Sequence, residues 1–375
     1  MTHAAKLVFF VTEDWYFCSH RLPLAVAARN AGFDVVVITH VQRHAAPIRA
    51  AGIDLVPIDL DRGSKNPYTE LRTLWQLMRI YRRLKPDIVH HVALKPVLYG
   101  TLAARLTHVP AVINALTGLG YLFSSADLAA RITRPLVEMG FRTLLKSSHV
   151  ILQNPDDGRL LLERGLISAA RTELIRGAGV DLAAFIPTPE PVGIPLVVLP
   201  ARLLWDKGIG EFIAAARLLR TQGVQARFAL VGEPDAANPA AVPRATLDDG
   251  LAEGVVELWG WREDMAQVFR DCHIVCLPSY REGLPKALLE AAACGRPLVS
   301  CDVPGCREIV RHGVNGLLVP PRDVPALAAA LRQLIENPAQ RAAYSQQARA
   351  IVSAEFSLET VIAQTLALYR RLAPV

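Results

Sequence analysis

Two carboxylates, Glu282 and Glu290, flank Gly283-Leu284-Pro285 in the stretch 278–295. An apolar run, His273–Leu277, leads into them and reads as a strand, and Pro285 can start a helix that continues as Lys286–Ala293. Glu282 then lies at the carboxyl end of a strand, where open α/β sheets take ligands. Glu290 lies in an otherwise apolar helical segment, where a carboxylate is costly unless it is paired or hydrogen-bonded. Backbone N–H groups of Gly283, Leu284 and Lys286 face the same space, whereas Pro285 has none to offer. Fixed acceptors beside helix-terminal donors suit a ligand that carries hydroxyls and an anion. The plain alternative is a pair of solvated helix carboxylates.

A second constellation lies upstream. The run Leu196–Pro200 reads as a strand, followed by Ala201-Arg202-Leu203-Leu204-Trp205-Asp206-Lys207-Gly208 and a helix over 208–220. Arg202 and Lys207 on a strand-to-helix loop, beside a helix N-terminus, suit a diphosphate; either alone reads as a surface salt bridge. The next strand, Arg227–Val231, ends in Gly232, where a backbone can approach a ligand. After the strand Val255–Leu258 comes Trp259-Gly260-Trp261-Arg262-Glu263-Asp264, a glycine turn whose Trp261 can cover a flat base or simply pack.

These residues need a framework. In the first half, strands at 7–11, 34–38, 55–58, 88–91, 111–115 and 150–153 alternate with helices at 21–31, 69–84, 97–107 and 131–145, the pattern of a parallel sheet covered on both faces. Residues 182–195 are proline-dense and read as a linker, after which the alternation restarts, with helices over 324–336, 338–355 and 358–372 at the end. The expected domains are an acceptor-binding Rossmann-like domain at 1–181, the linker 182–195, a second Rossmann-like domain at 196–357, and a terminal helix at 358–375 crossing back to the first.

Composition limits the function classes. The 375 residues are 51% hydrophobic with mean hydropathy +0.25, which implies large buried sheets and no disorder signature. No apolar run reaches the ~20 residues of a membrane span, and the start, Lys6 then Leu7–Val11, reads as a strand rather than a signal peptide. Cysteines 18, 272, 276, 294, 301 and 306 form no CxxC pair and read as buried thiols in a reducing compartment. The net charge of +6 is uneven: residues 1–190 hold 22 Lys+Arg and 16 Asp+Glu, leaving 19 of each from the totals of 41 and 35. A basic first half suggests an anionic partner.

Taken in order, Arg202…Lys207-Gly208, the Gly260–Asp264 turn and Glu282-Gly-Leu-Pro…Glu290…Gly295 resemble the retaining GT-B glycosyltransferases of family four, with their Glu–seven residues–Glu motif. The wording of 202–208, Arg-Leu-Leu-Trp-Asp-Lys-Gly, and of 277–285, Leu-Pro-Ser-Tyr-Arg-Glu-Gly-Leu-Pro, resembles the bacterial members that extend undecaprenyl-diphosphate-linked sugars, such as N-acetylgalactosaminyltransferases; Ser19-His20-Arg21-Leu22-Pro23-Leu24, Asn66-Pro67 and Leu116-Thr117-Gly118-Leu119-Gly120 are weaker motifs of the same subgroup. The resemblance implies two Rossmann-like domains facing across a cleft and metal-independent, same-face transfer from a nucleotide sugar, with UDP-N-acetylhexosamine the favoured donor and no cofactor. Arg202 and Lys207 would grip the diphosphate. Glu290 would take the ribose hydroxyls, and the Trp261–Arg262 turn would meet the base. Glu282, with backbone N–H groups of Gly283, Leu284 and Lys286, would meet the donor sugar, and Gly232 would also line the donor side.

The chain departs from the wider family twice. Thr12-Glu13-Asp14-Trp15-Tyr16 lacks a glycine pair after the first strand, and Asn114-Ala115-Leu116-Thr117-Gly118 lacks a histidine. That leaves His20, His91, Lys95, Thr117 and Gly118 as acceptor-side candidates, each with an ordinary structural reading beside it. Asp59-Leu60-Asp61 is a DxD ahead of Arg62-Gly63-Ser64, weighed as a metal motif and set aside. The helix 69–85 sets Leu71, Leu74, Trp75, Met78 and Tyr81 among Arg72, Arg79, Arg82, Arg83 and Lys85. The segment 131–146 does the same with Leu136, Met139, Phe141 and Leu144 among Arg131, Arg134, Arg142 and Lys146. Both read as core-packing helices or as a basic face for the inner leaflet of a bacterial membrane. The expectation is a cytoplasmic, peripherally bound enzyme of lipopolysaccharide, exopolysaccharide or protein-glycan assembly that binds no nucleic acid. A nucleotide-sugar epimerase on the same fold, a glycosyltransferase with a soluble acceptor and a silent binding subunit are the alternatives. No GxGxxG follows the first strand, which argues against a dinucleotide oxidoreductase.

Overall fold

A computed structural model describes residues 4–60, 66–118, 128–235 and 238–373, leaving aside the side chains of 128–134 and 136. Two compact units divide the chain: Met1–Ala178 with Val361–Val375, and Gly179–Thr360.

The first unit holds strands β1 (Lys6–Glu13), β2 (Asp34–His40), β3 (Asp54–Pro57), β4 (Ile88–Val92), β5 (Ala111–Leu116), β6 (His149–Leu152) and β7 (Thr172–Leu174). They form one sheet in the order β3-β2-β1-β4-β5-β6-β7, and every pairing is parallel. Strands of this kind are apolar on both faces because crossover helices cover both. Alternate side chains of β1 accordingly enter different cores. Leu7, Phe9 and Val11 pack with Val35, Val37 and Tyr369, while Val8 and Phe10 pack with Val36, Ile38, Leu77 and Tyr81. Tyr369 belongs to the terminal helix Leu358–Leu372, and its hydroxyl meets His90 Nδ1 at 2.5 Å.

His91 is corrected from an acceptor-side candidate to a core residue. It is fully buried, and both ring nitrogens are engaged: Nδ1 lies 2.8 Å from Asn114 Oδ1 and Nε2 lies 3.0 Å from the Tyr81 hydroxyl. An amide oxygen only accepts, so the proton sits on Nδ1 and Nε2 accepts from Tyr81. Asn114 also accepts from Thr101 Oγ1 at 2.9 Å and donates to Ser148 Oγ at 2.9 Å, so the network is closed.

The second unit holds β8 (Leu196–Pro200), β9 (Arg227–Val231), β10 (Glu257–Gly260), β11 (Ile274–Leu277), β12 (Leu298–Cys301) and β13 (Gly316–Val319) in the order β10-β9-β8-β11-β12-β13, again all parallel. The proline-dense segment 182–195, expected as an inter-domain linker, falls within this unit and is held to it by arginines. Arg296 Nη2 donates to Thr188 Oγ1 at 2.7 Å, Arg341 grips Glu190 through Nε (2.8 Å) and Nη2 (2.5 Å), and Arg349 Nη1 donates to Phe185 O at 2.7 Å. Fork-shaped guanidinium groups can hold an irregular segment whose carbonyls no ladder satisfies. Glu190 is correspondingly held below its ordinary value; burial pushes it up, but the Arg341 hydrogen bond and charge outweigh that.

Burial pushes His91 down to about 4, against a smaller upward pull from Asn114, and pushes His90 well below the ordinary 6.5, helped by Arg21 and His91. Protonation therefore favours the unfolded chain. The stability is fully present above the unfolded value near 6.5 and drains as pH falls towards 4. Between pH 6.5 and 5, unfolding free energy should fall by up to about 1.4 kcal/mol per pH unit for each histidine. Urea midpoints across that window check it: the slope should shrink in His91→Gln, and a flat wild-type profile would contradict it.

Candidate functional site

In the second unit the strand order reverses between β8 and β11. Their carboxyl ends open the crevice where sheets of this type take ligands. The loop 201–208 leaves β8 and the loop 278–285 leaves β11. They touch at Gly208, which has φ +74 and opens the helix Ile209–Thr221. A Cβ there would stand 2.2 Å from Pro278 O, so only glycine allows this approach.

Lys207 and Glu282 meet across that contact. Lys207 Nζ donates to Glu282 Oε1 at 2.6 Å, and Ser279 Oγ donates to the same oxygen at 2.7 Å. The lysine and glutamate side chains are only 17% and 13% exposed, so the pair is poorly screened. Arg202 Nη1 bonds Asp235 Oδ2 at 2.6 Å, and Lys286 Nζ bonds Glu290 Oε1 at 3.0 Å. Burial raises the Glu290 carboxyl above its ordinary value, with the Lys286 charge and hydrogen bond opposing it. Each of these three cations thus already faces a carboxylate, and an incoming anion must exchange with one. Asp235 was not among the expected residues. It follows β9, the neighbour of β8, and an inventory of charges after every strand end would have found it.

The remaining donor-side candidates fall in different places. Gly283 and Leu284 are buried, and the Leu284 side chain joins the core while its backbone precedes the helix Lys286–Ala293. That helix starts at Pro285, which offers its first N–H groups no side-chain cap. Gly232 has φ +144, and a Cβ on it would lie 2.0 Å from Ala201 O, so the glycine makes room for the loop that leaves β8. Trp261 and Arg262 follow β10, two strands away from β8. Trp261 is 59% exposed, and Arg262 forks onto Asp264 at 2.7 and 2.5 Å.

In the first unit the order reverses between β1 and β4. Lys95 lies in the first turn of the helix Leu94–Leu106 after β4, with Nζ 2.9 Å from Glu70 Oε1. Glu70 also hydrogen-bonds Tyr99, whose hydroxyl is raised by burial first and by Glu70 second. Ala93, between β4 and that helix, has φ +78, unusual for a side chain with a Cβ. Thr117 and Gly118 follow β5, and His20 ends the helix Asp14–His20, stacked on Tyr16 at 4.1 Å. Asp59 pairs with Arg72 at 3.4 Å; Asp61, Arg62–Ser64, Leu119 and Gly120 lie outside the described residues, as do the side chains of Arg131, Arg134 and Leu136.

The expected apolar stripe of the helix Pro67–Leu84 divides in two. Leu74, Met78 and Tyr81 pack into the core, while Leu71 (66% exposed) and Trp75 (58%) stand outside with Tyr68 (77%). Arg72, Arg79, Arg82, Arg83 and Lys85 are exposed on the same helix and its end, with the Arg79 guanidinium 5.6 Å from the Trp75 ring centre. On the helix Leu128–Leu144, Met139 is exposed and Phe141 is buried. Among the described residues no helix is long and apolar enough to cross a membrane.

Known proteins align with both units. Residues 194–337 match the family described as Glycosyl transferases group 1, and residues 6–154 match Glycosyl transferase 4-like. The chain is 28% identical over 331 residues to the N,N'-diacetylbacillosaminyl-diphospho-undecaprenol alpha-1,3-N-acetylgalactosaminyltransferase of Campylobacter jejuni, covering 84% of this chain and 86% of that one. It is 24% identical over 281 residues to the Escherichia coli UDP-Gal:alpha-D-GlcNAc-diphosphoundecaprenol alpha-1,3-galactosyltransferase, covering 72% and 71%. Among solved structures, Anabaena HepE in complex with UDP and glucose superposes with a TM-score of 0.78 at 18% identity, over 98% of this chain and 99% of that one.

Gly208→Ala should break the loop contact on which the Lys207–Glu282 pair rests. A left-handed residue with a Cβ against a carbonyl should lower unfolding free energy by about 2 kcal/mol or more. Denaturant titration checks this, and an unchanged midpoint would show that the loops can part freely.

Proposed function

We propose that this chain, which belongs to the group 1 glycosyltransferases of GT-B fold, moves an N-acetylhexosamine from UDP to an undecaprenyl-diphosphate-linked sugar with retention of anomeric configuration. One observation carries the donor half of the reading: Lys207 Nζ against Glu282 Oε1 at 2.6 Å, at the reversal of strand order. The names of the Campylobacter and Escherichia relatives support the acceptor half, and the UDP bound by HepE supports the nucleotide.

In this reading the diphosphate takes Lys207 and Arg202 away from Glu282 and Asp235. As the sugar–phosphate bond breaks, negative charge grows on the leaving diphosphate, and the two cations with the uncapped helix start stabilise it where it forms. Glu282, released, accepts hydroxyls of the transferred sugar, and Glu290 accepts the ribose hydroxyls. The acceptor hydroxyl attacks from the face the diphosphate leaves, and a phosphate oxygen takes its proton. Unlike the two carboxylates of a glycosidase, which flank one bond, Glu282 and Glu290 serve different parts of the donor. Lys95, paired with Glu70, takes an acceptor phosphate in this reading.

We place the enzyme on the inner face of the bacterial membrane, in surface-glycan or protein-glycan assembly. Support comes from Tyr68, Leu71 and Trp75, exposed on a helix that also carries five exposed basic residues through Lys85. Aromatic rings suit the headgroup region, and each basic residue near anionic lipid adds about 1 kcal/mol.

A panel of nucleotide sugars with a polyprenyl-diphosphate-linked acceptor, read by product mass and anomeric proton NMR, tests the reaction. Transfer from UDP-N-acetylhexosamine with an α-linkage is expected. A β-linkage removes retention, and an acceptor-free epimer favours the isomerase reading. Glu282→Gln should cut transfer by about a hundredfold or more, as loss of a group acting at the transition state does. It should also tighten UDP binding, because Lys207 loses its competitor. Parallel loss of both would place Glu282 elsewhere.

The membrane reading has its own test. The protein should float with phosphatidylglycerol liposomes at low salt and release as salt rises. Trp75→Glu together with Leu71→Ser should abolish flotation, and retention of the variant would remove this helix from the interface.

A further inference from the structure

Tyr280 stands where three loops of the second unit meet. It follows β11, and its backbone N–H donates to Asp206 O at 2.9 Å, in the loop that leaves β8. Its hydroxyl donates to Glu211 Oε1 at 2.6 Å, in the first turn of the helix Ile209–Thr221. The guanidinium carbon of Arg322, just beyond β13, lies 4.5 Å from the centre of its ring. Three features mark this arrangement as more than ordinary packing. Arg322 has φ +64, so its cation is brought over the ring at a backbone cost. Glu211 Oε2 is buried without a hydrogen-bond partner among the described residues, so the carboxylate is held through Oε1 by the Tyr280 hydroxyl. Tyr280 also lies two residues before Glu282, while Asp206 directly precedes Lys207.

We propose that Tyr280 is a positioning residue: anchored on Glu211 and covered by Arg322, it holds the loop of Glu282 at a fixed spacing from the loop of Lys207. The proposal rests on the assigned reaction for its kinetic consequences. The leaving diphosphate and the transferred sugar need Lys207 and Glu282 in one geometry at the same moment, and small misplacements of reacting groups are costly in rate. Tyr280 touches neither substrate in this account. It acts through the two loops, so its loss should fall on turnover rather than on grip.

Tyr280→Phe removes the hydroxyl, and with it the bonds to Glu211 and Arg322, while the ring and the backbone bond to Asp206 remain. It should lower kcat about tenfold while the UDP dissociation constant and the acceptor KM stay within about twofold. Glu211→Ala should lower kcat in the same direction, and the double variant should be no worse than Tyr280→Phe alone, because the Tyr280–Glu211 bond is removed once. Glu211→Gln keeps an oxygen that accepts from Tyr280, so it should retain most of the activity. A purely structural tyrosine would lower the melting temperature of Tyr280→Phe yet leave kcat of the folded protein unchanged, and that result overturns the proposal. Independent of turnover, a crystal structure of Tyr280→Phe should show Lys207 and Glu282 parted; an unmoved pair also overturns it. Failure of the wild type to transfer any sugar would instead sink the assigned reaction, leaving the crystallographic comparison to judge Tyr280.

Discussion

Opposite charges half-buried at the open end of a parallel sheet must neutralise one another, and the Lys207–Glu282 pair is where this chain meets that constraint. Leaving either charge unpaired in so poorly hydrated a place costs several kcal/mol, on the order of 3–5 for a truly buried pair. The pair exists because two loops from adjacent strands touch backbone to backbone at Gly208 and Pro278. That contact in turn requires a strand order that reverses between β8 and β11. Fold, loop contact and charge pair are therefore one dependency, running from sheet topology to chemistry. The same logic repeats in Arg202–Asp235 and Lys286–Glu290. A site with each of these cations already balanced binds an anion by exchange rather than by simple attraction, so selectivity lies in what the displaced carboxylates then hold.

Exchange of this kind needs a rigid frame, and the second unit supplies one. Its sheet is apolar on both faces, which leaves little freedom to slide. Arg296, Arg341 and Arg349 add a polar clamp on the irregular segment before β8. Buried guanidinium groups are tolerated there because backbone carbonyls and Glu190 use their donors; Arg341 alone bonds Leu334 O and Ile335 O as well as the glutamate. The strand that carries the Arg202–Gly208 loop thus emerges from a segment fixed on both sides.

Much of this was legible in the sequence, and the boundary of legibility is physical. The strands announce themselves because a parallel sheet buries both faces and leaves short continuous apolar runs; the run 7–11 sits inside β1 and the run 196–200 coincides with β8. The expense of a carboxylate in Ala287–Ala293 was readable from its neighbours, and Lys286 is the partner that burial demanded. What stayed hidden depends on contacts between distant segments. Nothing local distinguishes His91 from a reactive histidine, because its quenching partners Tyr81 and Asn114 come from other elements. Proline density at 182–195 says that no regular element forms there, but not that arginines more than a hundred residues later hold it down. Tyr280 stayed hidden for the same reason: Asp206, Glu211 and Arg322, which meet it, come from other segments.

The helix Pro67–Leu84 shows the limit most sharply. Its apolar residues recur at helical spacing, and the pattern is the same whether they face a sheet or a lipid surface, since both present hydrocarbon. Only the sheet's position separates them: Leu74, Leu77, Met78 and Tyr81 point inward, and Tyr68, Leu71 and Trp75 remain outside. Three large side chains more than half exposed within eight residues are costly in water unless something covers them. The cations interleaved with them, Arg72 and Arg79, give this exposed face a positive charge that complements an anionic surface. Glu70, on the turn between Tyr68 and Leu71, holds Lys95 at the carboxyl end of β4. One helix therefore carries both the exposed apolar and basic face and the glutamate that holds Lys95 at the carboxyl end of β4.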